Sequence, residues 1–348
     1  MLMLRRILLA APLVMAVAMT ADASQLPLSV FGGTWATKAE RVLVWANSPQ
    51  TSLAFDNRRG TNFANVALQW ENLVPGAYLS TPEGVVIASS RTGDAMSAQL
   101  TVPARERQTW ALNPNINGAY RFAVIGKTHH ADSGQRTYGV LAKRMGDQKN
   151  QFALHLGDAV AGGNPRQLEL FREQLKAFPF PTYALPGGAD VAGEGKQAWS
   201  RLFGGLPLAY KVDRDRFIML DNVSGTLKKE ERTWLERTLQ QANDTNARHI
   251  FVFLNKPLVD PRPGLNKGMT KIDEVRSLLN LFQRHRVRMV FASHLPIFSR
   301  EKRKGVDYVI TGGGGDALYG TPKQGGFHHY VQVDINGDAV NAYPVRTP

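Results

Sequence analysis

Five short polar segments each follow an apolar run of strand type: Gly126-Lys127-Thr128-His129, Gly157-Asp158, Pro186-Gly187-Gly188-Ala189-Asp190, Asn255-Lys256-Pro257 and Ser293-His294-Leu295-Pro296. Together they offer the imidazoles of His129 and His294, the carboxylates of Asp158 and Asp190, the amide oxygen of Asn255 and the ammonium of Lys127. Imidazole and carboxylate suit a divalent cation such as Mn, Zn or Fe, whereas an ammonium offers a point charge to an anion. With no cysteine in the chain, a thiol nucleophile, a disulfide and a thiolate metal site are excluded, and no Gly-x-Ser-x-Gly elbow supplies an activated serine. The glycine run Gly312 to Gly315 lacks the Gly-Lys-Ser/Thr ending of a phosphate loop and reads as a tight turn.

Open α/β sheets build sites just past the carboxyl ends of their strands, where the following loops converge. The spacing predicts such a sheet after residue 119. Strand-like runs at Arg121 to Ile125, Phe152 to Leu156, Phe217 to Leu220, His249 to Leu254 and Val287 to Ala292 alternate with helical patterns. The helices are expected at Gln135 to Met145, Arg166 to Phe178, Lys228 to Asn243 and Ile272 to His285. β pattern returns at Val306 to Thr311, Tyr330 to Ile335 and Ala339 to Pro344. Before residue 119 the chain shows only short β-type runs, at Arg41 to Trp45, Val66 to Trp70, Gly84 to Ala88 and Gln99 to Val102, separated by turn formers. A small all-β sandwich over residues 25–117 is therefore expected, then a linker at Asn113 to Gly118, then an α/β domain over 119–348.

At the amino end, Arg5 and Arg6 precede an apolar run from Ile7 to Met19, and Ala21-Asp22-Ala23 supplies small residues for cleavage. Residues 1–23 thus read as a secretory signal, the run being shorter than a bilayer span, which needs about 20 apolar residues. Export to a periplasm or outside the cell, with no transmembrane span after cleavage, is the expectation. Formal charge is +13; loss of two arginines and one aspartate with the leader leaves +12. Such an excess favours anionic partners, a small molecule or an envelope polymer. No nucleic-acid reading module is present. A protein partner on the β-sandwich is the other expectation.

In their order and flanks the five segments resemble the blocks of the calcineurin-like metallophosphoesterases, D-x-H, G-D, G-N-H-D/E, a lone H before P, and G-H-x-H. The likeness spans about Tyr120 to Ile335 and extends to framework runs at Phe217 to Asp221, Trp234-Leu235 and Val306 to Gly315. It implies a four-layer α/β/β/α sandwich holding two divalent cations bridged by one aspartate, preceded here by the small all-β sandwich. Asp158 matches the bridge, His129 the first-block histidine and His294 the first histidine of the last block. Lys127 replaces the first aspartate, Gly188 the asparagine, Asn255 the lone histidine and Pro296 the last histidine, so three of seven ligand positions keep their type. Ala189 replaces the transition-state histidine.

That pattern implies a failing metal centre, because two cations need anionic and imidazole ligands to offset their repulsion. A unit charge at 4 Å repels another by about 4 kcal/mol at an effective dielectric of 20, and a dication by twice that. A catalytically impaired protein without a metal cofactor is the expectation, with Lys127 paired to Asp158 in the lost cation's role and an anion bound in the old cleft. Lys127 reaching out to solvent is the plainer alternative. A hydrolase with one residual cation at His129, Asp158 and His294, helped by Asn255 or Asp190, is a second reading, and an assembly or scaffold protein a third. His130 and His155 read as structural, and His328 and His329 as strand residues. The basic groups Arg284, Arg286, Arg288 and Arg300, Lys302, Arg303, Lys304 are expected to flank the last block, the second on a loop near the site mouth.

Overall fold

The computed structural model describes residues 27–38, 41–93, 95–129 and 134–347. The leader and His130 lie outside the described residues. Nine strands come first: β1 Leu28–Phe31, β2 Gly33–Lys38, β3 Arg41–Ala46, β4 Thr51–Asp56, β5 Phe63–Glu71, β6 Tyr78–Ser80, β7 Ser90–Thr92, β8 Ala95–Val102 and β9 Arg107–Asn113. They form two sheets, ordered β1-β4-β9-β6 and β2-β3-β5-β8-β7. Alternation in β4, where Thr51, Leu53 and Phe55 point inward, shows why these sequences pair: one face buries apolar side chains and the other faces water. The run Gly84 to Ala88 is not a strand; it makes a single bridge from Val86 to Ser80, and Val85 and Val86 stay exposed.

After residue 119 the order is β10 Tyr120–Ile125, α1 Gly134–Asp147, β11 Phe152–His155, α2 Pro165–Lys176, β12 Thr182–Ala184, α3 Gly195–Phe203, β13 Leu208–Val212, β14 Asp215–Met219, α4 Lys229–Asp244, β15 Ile250–Leu254, α5 Ile272–Arg284, β16 Met289–Ala292, β17 Phe298–Arg303, β18 Val306–Thr311, β19 His329–Asn336 and β20 Ala339–Arg346. Two sheets result, β12-β11-β10-β19-β20 and β13-β14-β15-β16-β18-β17. Their central strands β10, β11, β14, β15, β16 and β18 are nearly continuous apolar runs, because each is covered on both faces. Phe122 shows the inner contact: its ring lies 5.4 Å from Phe152 in its own sheet and 5.2 and 5.6 Å from Phe217 and Phe251 of the facing one. The alternate residues Ala123 and Ile125 turn outward onto α1, and Ile218 and Val252 onto α4 and α5. The layers are therefore α/β/β/α.

Strand β12 is an edge, and its outer side is paired by side chains. Asn47 Nδ2 donates to the Ala184 carbonyl while the Ala184 amide donates to Asn47 Oδ1; Asn72 makes the same two bonds with Thr182. Two amide side chains thus stand where a neighbouring strand would, which satisfies an edge otherwise open to pairing. The same docking face adds Arg172 over the Trp45 ring and Lys176 against Glu71. It joins the first two sheets to the last two. No helix among the described residues is long and apolar enough to cross a membrane.

Candidate functional site

The parallel strands β10, β11, β15 and β16 all deliver their carboxyl ends to one place. Four of the residues that emerge there, Lys127, His129, Asp158 and His294, hold the left-handed backbone conformation at φ 58°, 42°, 54° and 56°. Side chains with a Cβ adopt it at a cost, and such residues persist where surrounding bonds over-determine them. Here the bonds are visible. The amides of Thr128 and His129 both donate to the Asp158 carbonyl, and that of Lys127 to the Gly157 carbonyl. A Cβ on Gly187 would meet the Asp158 carboxylate at 2.3 Å, so glycine is what lets the third loop approach.

Asp158 is buried. Its Oδ2 lies 3.2 Å from His294 Nδ1 and accepts from Asn255 Nδ2 at 3.4 Å, while Oδ1 accepts the Ala189 amide at 3.3 Å. Burial alone raises its pKa, but the His294 bond and the through-space charge of Lys127 outweigh burial and hold it below the usual carboxylate range. Lys127 is not paired to Asp158. Its Nζ lies 3.1 Å from Asp316 Oδ2, and His129 Nδ1 lies 3.2 Å from the other oxygen of the same carboxylate. Asp316 arrives because the segment after β18 crosses the first loop, with the Gly314 amide bonded to the Gly126 carbonyl and the Asp316 amide to that of Lys127. With 14 % of its side chain exposed, Lys127 does not reach out to solvent either. Against the opposing effect of burial, the His129 bond and the Lys127 charge hold the Asp316 carboxyl well below the ordinary range.

Asp316 is the site residue that the sequence reading missed. It directly follows the run Gly312 to Gly315 at the carboxyl end of a strand, so the placement that marked the other five segments marks it too. Asp190, a candidate ligand, is unavailable: it is fully buried and its two oxygens accept the amides of Ala159, Val160 and Gly187. Burial and the Asp158 charge push it up to about 7 against those three donors. His129, Asp158 and His294 do not gather round one point, since His129 is turned to Asp316. Asn255 spends its Nδ2 on the Leu156 carbonyl, and its buried Oδ1 has no partner among the described residues. His155 supports the loops, with Nε2 3.0 Å from Thr128 Oγ1. The basic groups lie elsewhere: Arg300 to Arg303 belong to β17, and the register Phe298↔Thr311 to Arg303↔Val306 carries them away from the cleft. Arg284 to Arg288 precede β16 and share that far end.

A pair of divalent cations does not fit this donor set. Lys127 places an ammonium among the ligand positions, His129 and His294 are each committed to a carboxylate, and among the described residues no three His, Asp or Glu side chains converge as a metal site. What the arrangement does offer is one ion pair, Lys127 on Asp316, with His129 against the same carboxylate, and beside it His294 against Asp158.

Comparison with solved structures places the architecture. A purple acid phosphatase from yellow lupin, Lupinus luteus, superposes with a TM-score of 0.56 at 14% identity, covering 92% of this chain and 73% of that one. A dimetal phosphatase from Danio rerio gives 0.53 at 11% identity over 67% of this chain and all of its own. GAP50, described as the anchor in the inner membrane complex of Plasmodium, gives 0.52 at 14% identity over 66% of this chain and 85% of that one. The fold is that of the metallophosphoesterases, a four-layer α/β/β/α sandwich, with all-β sheets ahead of it. No protein-family model matches the sequence, and comparison with curated proteins finds no match.

Proposed function

We propose that this is an exported, non-catalytic protein on a metallophosphoesterase fold, whose former active-site cleft binds a small oxyanion at Lys127 and His129. One observation carries the reading: an ammonium and an imidazole already converge on a carboxylate, that of Asp316, at 3.1 and 3.2 Å. A phosphate, sulfate or carboxylate likewise presents two anionic acceptor oxygens and can exchange with it. The fold does not choose between activities, since its solved examples include a phosphatase and an anchor by their printed descriptions. Titration of the protein with inorganic phosphate by calorimetry tests the reading, together with turnover of aryl phosphates in Mn, Zn and Fe. Saturable binding that Lys127→Met abolishes, with no metal-stimulated turnover, supports it; chelator-sensitive hydrolysis by clean protein refutes it.

The orphaned Asn255 Oδ1 favours a second reading. Beside Asp158 and His294, it is a buried oxygen in need of a donor or a cation, and these three residues would hold one divalent ion. Stoichiometric binding of one metal, lost in Asn255→Ala and indifferent to His129→Ala, would establish that reading in place of the first.

A further inference from the structure

Among the described residues, twelve other than glycine hold the left-handed conformation. Four belong to the cleft and four are Asn or Asp, which tolerate it. The remaining four, Arg105, Lys149, Arg286 and Lys304, are all basic. Glycine would adopt these turns freely, so long cationic side chains sit there against local preference, which marks positions where something other than the fold selects the residue.

Three of the four share one end of the molecule. Lys149 lies in the turn before β11, Arg286 in the turn between α5 and β16, and Lys304 in the two-residue turn between β17 and β18. Because β11, β16 and β18 all run toward the cleft, these tips lie at the opposite end, across both sheets. Arg214, in the β13–β14 turn, joins them, and so do Arg284 and Lys302. All six are exposed; Lys304 Nζ donates to Asn280 Oδ1 at 2.6 Å, and among the described residues none of the six is in an ion pair. Of the nearby carboxylates, Glu301 is paired with Arg303 and Asp213 with Arg248; the exposed Asp147, Asp244 and Asp338, which are in no ion pair among the described residues, offset half of the charge of the six.

None of the large exposed hydrophobic residues belongs to these turns, so the face has neither an aromatic anchor for a protein partner nor a ring on which a base could stack. The cations stand on separate tips rather than along the walls of a groove. Such an array is matched by a flat partner recognised through charge alone. We infer that this end of the molecule docks on an anionic lipid surface, with Lys149, Arg286 and Lys304 as its principal contacts. The inference is independent of what the cleft binds.

Co-sedimentation of the full chain with phosphatidylcholine vesicles, with and without phosphatidylglycerol, tests it. The expected result is binding only to the phosphatidylglycerol vesicles, reversed by salt. The triple variant Lys149→Gly, Arg286→Gly, Lys304→Gly should lose affinity about a hundredfold, at roughly fivefold per cation near the surface. Glycine relieves all three turns, which offsets the loss of the exposed Lys304 bond to Asn280, so the variant should melt close to the parent, and a melt at the parent's temperature shows that lost binding is not misfolding. The same charge removed at the cleft end by Arg166→Gln, Lys196→Gln, Arg276→Gln should leave binding intact. No vesicle binding, an equal loss in both triple variants, or capture of soluble long-chain polyphosphate without vesicle binding would each overturn the inference, the last by assigning the face to a linear polymer.

Discussion

Replacing Asp316 by asparagine removes the internal carboxylate from Lys127 and His129 while keeping the shape of the side chain. At the observed 3.1 Å, the ammonium and carboxylate attract by about 5 kcal/mol at an effective dielectric of 20. Both side chains are partly exposed, so screening and the cost of ordering them leave a fraction of that value, about 1–2 kcal/mol. The variant should lose about that much stability. It should bind phosphate more tightly, because the incoming anion no longer displaces a competitor or faces its charge; about 1.4 kcal/mol corresponds to a tenfold gain. Asp316 has a depressed carboxyl pKa, so its contribution to stability is present above about pH 4 and is lost as pH falls toward the folded value. At neutral pH the competitor is therefore always charged. Calorimetric titration with inorganic phosphate at fixed salt, beside denaturant melts, reads both quantities. Affinity unchanged or weakened in Asp316→Asn would refute the exchange of an external anion with this carboxylate.

Burial lowers the His329 pKa to about 4; its Nδ1 lies 2.8 Å from the Phe327 carbonyl, which can only accept, so Nδ1 carries the hydrogen of the neutral ring and Nε2 is a buried acceptor without a partner among the described residues. A base with a depressed folded pKa stabilises fully above its unfolded value of about 6.5. Melts should therefore show a loss of up to about 3 kcal/mol as pH falls from about 6.5 toward 4, and His329→Phe should flatten that slope. Asn72→Ala strands the buried Thr182 amide and carbonyl and should cost about 3 kcal/mol in denaturant unfolding; Asn47→Ala should do the same through Ala184. A cost below about 1 kcal/mol in both would show that the amide pairing does not hold the first sheets to β12.

The parallel core was legible because strands covered on both faces must be apolar throughout: β10, β11, β14, β15, β16, β18 and their helices fall where periodicity places them. The amino-terminal sheets were harder to read. Strands there are short and half-exposed, so Gly84 to Ala88 carries the residues of a strand without a pairing partner, while β4 and β9 gave no distinct signal. Within the cleft, residue type identified Lys127, Asp158 and His294, but not which charge meets which. That depended on the crossing of the segment after β18, a long-range event that brings Asp316 to Lys127 and leaves Asp158 to His294. The Arg300 to Lys304 cluster was displaced for a similar reason. Neighbours in sequence to a site loop were carried to the far end by a hairpin, whose two-residue turn, Lys304-Gly305, can be seen in the sequence once strand pairing is considered.

Metal content tests the central claim most directly. Protein purified without added metal, then incubated with Mn, Zn or Fe and desalted, should by elemental analysis retain fewer than two equivalents, because Lys127 and two committed imidazoles leave no ligand set for a pair of dications. Retention of two equivalents, accompanied by metal-stimulated phosphoester hydrolysis, would contradict it.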